Sequence, residues 1–203
     1  MVVRRIKDRW HNSTPDDPSR EVLTEKSLDD QASALSFIIW RQALNGAINL
    51  HAEDFRYDDD RQRIGVISEL LAFQIQLVDR LSHGFLEDTQ RASLLNSLCL
   101  RIAEHVQENM TDIAGPGQYQ QPFIALLNRR FTEYAQFNYS GNNPGYDVLR
   151  YLGRQVLDIM GEDQTNRWIM DQVIDIDAPA LVKQIDRSVT RLFGLDQSDS
   201  GSG

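Results

Sequence analysis

Cysteine is almost absent from this 203-residue chain. The single one, Cys99, cannot close an internal disulfide, so no covalent cross-link holds the fold together. Histidine is nearly as scarce: there are four, and none has Glu three positions before it. That removes the paired Glu-x-x-His signature of di-iron carboxylate bundles, and neither HExxH nor HxxxH occurs. Asp8 and His11 have a usable spacing for a metal but no companion, and no metal or other cofactor is expected. Glycine-rich cradles are missing too. There is no Walker A loop, GxGxxG or GxSxG, and the glycines punctuate helices instead of joining a strand to a helix.

Positive charge is in deficit, with 21 Lys and Arg against 30 Asp and Glu and a formal net charge of −9. Such a molecule repels phosphate backbones and anionic lipid, which excludes general nucleic-acid binding. The opening MVVRRIKDRW has no apolar core of the kind a signal peptide needs, and with the lone cysteine it points to a reducing cytoplasm. Long apolar runs are also lacking. Only residues 31–50 approach a membrane span, and Arg41 at their centre costs about 2.5 to 3.5 kcal/mol even on insertion scales. No transmembrane segment is expected.

What the chain does contain is helical periodicity. Its hydrophobic fraction of 41% and charged fraction of 25% are those of a globular protein, and a chain this long buries roughly 70% of its unfolded surface. We expect an all-α, single-domain bundle of six or seven helices around a buried central helix. The domain spans residues 27–194. Residues 1–26 form a basic amphipathic arm plus a flexible tether, and residues 195–203 a disordered tail. Residues 31–50 are apolar around so much of the helical wheel, at 3.6 residues per turn, that they are assigned the central position.

Further helices are expected over 60–86, from Asp88 or Thr89 to 113, over 122–139, from Pro144 to 160, and over 163–174. Asp177 is expected to cap a last helix that ends at Gly194. The 163–174 helix should bury Trp168, Ile169 and Val173. Ala114, Gly115, Pro116 and Gly117 break the chain between the third and fourth helices. No strand and no internal repeat is predicted.

Two positions break the apolar pattern. Gln74 lies in the middle of the apolar arc of the second long helix, and Arg130 lies inside that of the fourth. A buried amide without partners costs about 1 to 3 kcal/mol, so Gln74 should bond another helix, a water or a ligand, while Arg130 should snorkel to water or meet a carboxylate, with an anion clamp as the lesser reading. Cys99 falls on an apolar arc with no local charge to activate it and reads as a small core residue.

No catalytic constellation is legible, and an enzyme would have to assemble one from distant residues. The leading expectation is a non-enzymatic interaction protein of the cytoplasm, an adaptor, assembly factor or regulator that binds a protein partner or itself as a dimer. Its contact residues would be Arg4, Arg5, Ile6 and Trp10 of the arm, with Tyr139, Asn142, Asn143 and Tyr146 around a polar turn. Peripheral membrane contact through residues 1–11 is the lesser reading of the arm. The alternative function is a small-molecule or lipid-binding bundle, in which Gln74, Arg130 and Tyr134 polarise an apolar pocket between the second and fourth helices.

Overall fold

A computed structural model describes residues 27–141, 143–163 and 166–195. The arm, its residues Arg4, Arg5, Ile6 and Trp10, the tail beyond Leu195 and Asn142 lie outside them. Ser27 starts the first helix, its side-chain oxygen accepting the Asp30 N–H at 3.2 Å with Asp29 and Asp30 in the positive first turn. This helix, α1, covers Leu28–Ala52. Asp59 caps α2, Asp60–Ser82, by accepting the Gln62 N–H at 2.7 Å. Glu87 and Gln90 form a reciprocal capping box on α3, Asp88–Ala114.

Gly115, at φ +86°, turns the chain out of α3. Gln107 of α3 then builds the start of α4, Gln120–Tyr134. Its side-chain oxygen accepts the N–H groups of Tyr119 and Gln120, at 2.7 and 3.0 Å. A two-residue antiparallel ladder follows, β1 Tyr139–Ser140 against β2 Asn143–Pro144, and α5 runs over Tyr146–Met160. Pro144 thus ends a miniature hairpin and does not open a helix, because its partner Tyr139 holds it in extended conformation. Among the described residues this is the only sheet, and the fold is all-α.

The last segment departs most from expectation. The short α6, Ile169–Gln172, passes through a π-helical turn, Val173–Asp177, straight into α7, Ala178–Phe193. Pro179 explains the wide turn: it has no N–H for the carbonyl four residues back, and its ring would collide with that carbonyl. Asp177 is therefore no cap. Its backbone is helical, its side chain caps nothing, and it is buried. Ile169 and Val173 are buried as expected, but Trp168 is 59% exposed, standing at the mouth of the helix under the Arg167 guanidinium.

The bundle does have a buried central helix, but that helix is α2. It packs against α1, α3, α4, α5 and α7, and every residue over 66–78 is buried. In α1, by contrast, Arg41, Asn45, Ile48 and Asn49 face solvent. The sequence pattern misleads because α2 carries Ser68, Glu69, Gln74 and Gln76 into the core. Burial is open to polar groups that find partners inside: Ser68 donates to the Ile64 carbonyl at 2.8 Å, and Gln74 to that of Leu70 at 3.1 Å. Among the described residues no helix is long and apolar enough to cross a membrane.

Candidate functional site

The densest polar chemistry in the fold gathers on Arg130. Placed one turn from the end of α4 and 6% exposed, its guanidinium meets Glu69 of α2 in a two-pronged pair. Nε donates to Glu69 Oε2 at 2.7 Å and Nη2 to Glu69 Oε1 at 2.6 Å. Nη2 also donates to Gln155 Oε1 at 2.6 Å. Nη1 donates to Glu133 Oε2 at 2.7 Å and to the Tyr151 hydroxyl at 2.9 Å, and that hydroxyl donates to Glu133 in turn. An arginine has five N–H donors, and here all five are used.

The electrostatics follow from this geometry. Burial alone would lower the Arg130 pKa, but its bonds to Glu69 and Glu133 outweigh that and raise it. Burial also works to raise the Glu133 pKa, and hydrogen bonds from Tyr151 and Arg130 overcome it, so the carboxyl ionises more readily than usual. Tyr134, fully buried with a hydroxyl that has no partner among the described residues, is pushed well above the ordinary phenol range by desolvation, with Glu69 adding to the effect. These shifts lock each group in one protonation state near neutrality. The cluster ties α2, α4 and α5 together and leaves no poised acid or base within it.

Two grooves open beside this framework. One, of about 440 Å³, runs between α2, α3, α4 and α5. Ile64, Val106, Phe123 and Leu126 make its apolar walls, and Glu69, Arg130 and Gln155 its polar inner end. The other, of about 490 Å³, lies where α1 and α3 end and α2 begins. Ala47, Ile48, Ile113 and Ala114 line it, and Asp58, Asp59 and Asp60 stand along it with Arg61 and Arg63. Ile48 is 52% exposed there. Asp60 is paired with Arg63 at 2.7 Å.

The residues singled out from sequence separate into three places. Arg130 reaches the inner end of the first groove, but its donors are all spent on the protein. Tyr134 is sealed in the core between Phe73 and Tyr151, and Gln74 turns away toward the Ile39 carbonyl of α1 at 3.4 Å. Of the polar turn, Tyr146 is 64% exposed and Asn143 exposed, while the Tyr139 ring lies under Arg80 at 4.4 Å. The sequence pattern does not single out Glu69, Tyr151 or Gln155. Glu69 did leave a signal, since it precedes Phe73 and Leu77 at four-residue steps along one helical row.

His51 stacks on Tyr57, and His105 lies against Trp40 with ring centres 5.6 Å apart. Among the described residues no three His, Cys, Asp or Glu side chains gather as a metal site would require. Comparison with protein-family models, with curated proteins and with solved structures finds no match to this chain.

Proposed function

We propose that this chain is a non-enzymatic interaction protein of the reducing cytoplasm, and that the groove at the junction of α1, α2 and α3 is its binding face. The observation that carries the reading is Ile48. A large aliphatic side chain stands more than half exposed on a helix, inside a concave apolar lining, and beside three consecutive aspartates. Only Asp60 of these has an arginine salt bridge among the described residues. Apolar side chains rimmed by charge are the usual material of a recognition site. The matching partner is a protein segment with an apolar stripe and a basic face, since charge of the opposite sign speeds encounter and sets register.

Self-association as a dimer belongs to the same proposal, and light scattering on the purified protein reads it directly. The binding face itself is tested with a fluorescent twelve-residue amphipathic peptide of leucines and lysines, titrated with the protein and followed by anisotropy. Saturable binding is expected, weakened as salt shortens the reach of the charges and lost in Ile48→Asp. Equal affinity for the same peptide with glutamates in place of lysines would overturn the reading.

A further inference from the structure

The first groove has a property that the Arg130 cluster creates at a distance. A guanidinium has donors only, so the Gln155 side chain must offer Arg130 its oxygen, as the 2.6 Å contact records. That fixes the amide orientation. The Gln155 NH2 group is turned away from the guanidinium, and among the described residues it has no partner. Gln155 lines the groove, so two oriented N–H donors stand at its polar end.

Charge at the groove has the same preference. Arg61 and Arg129 both line it, both are exposed, and neither makes a salt bridge within the described residues. The one exposed acid on the lining, Asp158, is neutralised by Arg154 at 2.8 Å. Glu69, the other acid there, is spent on Arg130. Although the chain as a whole is acidic, this lining presents two exposed arginines outside any salt bridge of the described residues, together with the unpartnered N–H donors of Gln155. Most of the remaining wall is apolar, with Ile64, Val106, Met110, Phe123, Leu126 and Ile159, and Ser68 and Tyr119 add the other polar side chains. Its volume of about 440 Å³ falls in the range of small-molecule sites.

We propose that this groove binds a small single-chain anionic amphiphile, with its carboxylate held by the Gln155 amide and Arg129 and its hydrocarbon chain along the apolar wall. Arg61, exposed on the same lining, adds to the attraction. The site owes nothing to Gln74 or Tyr134, and Arg130 acts on the ligand only by orienting Gln155, which makes it a positioning residue.

The test uses the full-length protein and three ten-carbon probes, decanoate, decanol and decylammonium, each below the concentration at which it forms micelles. Binding is followed by calorimetry and by amide chemical-shift mapping. Decanoate should bind at least tenfold more tightly than decanol and decylammonium, with shifts centred on residues 64–69, 106–110 and 123–130. Arg129→Ala, a change at an exposed position, should bring decanoate down to the affinity of decanol while leaving the thermal midpoint unchanged. Gln155→Met should also bring decanoate down to the affinity of decanol, without altering decanol binding, and should lower the thermal midpoint because Arg130 loses one acceptor. Equal affinity for all three head groups, shifts confined to the Ile48 groove, or decanoate binding indifferent to Arg129→Ala would each overturn the proposal. Peptide binding at Ile48 is read by its own titration, so failure of this proposal and failure of the Ile48 reading are distinguishable.

Discussion

Arg130→Met removes all five hydrogen bonds of the guanidinium and leaves Glu69, whose side chain is 3% exposed, as a buried carboxylate without its counter-ion. Breaking one side of such a pair costs about 3 to 5 kcal/mol, because the orphaned charge keeps its desolvation penalty and loses its compensation. Glu69→Leu strands the guanidinium in the same way, although Glu133 and Tyr151 still hold Nη1, so its cost should lie at the lower end of that range. Removing both partners together is different. Met and Leu fill similar volumes with no charge to compensate, Glu133 keeps the Tyr151 hydroxyl and is about one-third exposed to water, and the double variant should cost less than either single change. Urea denaturation of the parent, both singles and the double closes the cycle. The expected coupling is several kcal/mol, a large fraction of the roughly 5 to 15 kcal/mol that holds an ordinary domain folded. Two single costs below about 1 kcal/mol, or a double variant equal to their sum, would show that the cluster is not a buried, mutually dependent unit.

Asp177, pushed up to about 6 by burial with Glu53 nearby, binds its proton more tightly in the folded chain than in the unfolded one. Its ionised form therefore opposes folding at pH 7, and that penalty fades as pH falls through 6 toward 4. Asp177→Asn should raise the urea midpoint at pH 7, by about 1 to 3 kcal/mol in stability, and the advantage should shrink steadily on acidification. An unchanged gap between variant and parent from pH 7 to pH 4 would contradict it. A Cβ on Gly153 would lie 3.0 Å from Met170 Cγ and 3.2 Å from the Met170 carbonyl oxygen, so Gly153→Ala should cost about 1 to 3 kcal/mol by forcing α6 away from α5; a calorimetric midpoint equal to the parent's would refute this. The Cys99 thiol is pushed up to about 11 by desolvation and by Asp79, so its reaction with a disulfide reagent at pH 8 should run on the order of a hundredfold slower than that of a free cysteine. A rate matching free cysteine would place it in water.

How much of this was legible beforehand depended on where each polar side chain finds its partner. The starts of α2 and α3, the end of α5 and the glycine end of α7 are legible in the sequence because amphipathic stripes and helix breakers are local signals. The identity of the central helix was not. α1 looks central because its polar strip is narrow, and α2 looks like a half-exposed helix because Ser68, Glu69, Gln74 and Gln76 dilute its apolar pattern. Glu69 becomes compatible with burial only when Arg130, 61 residues later, is brought against it, and no window of neighbouring residues contains that fact. The same holds for Gln155 and for the π turn, which a single proline imposes on a pattern otherwise indistinguishable from two capped helices.

Arg130 and Gln74 drew notice as polar residues inside apolar arcs, and the structure gives that oddity its physical content. Such a residue demands a partner from another helix, so it reports on the tertiary fold before it reports on any ligand. Once the demand is met in full, as it is for Arg130, the residue itself has nothing left to offer a ligand. What remains available is whatever its neighbours had to turn away, here the amide donors of Gln155. Binding chemistry beside a fully satisfied buried arginine therefore lies one bond outward from that residue and not on it.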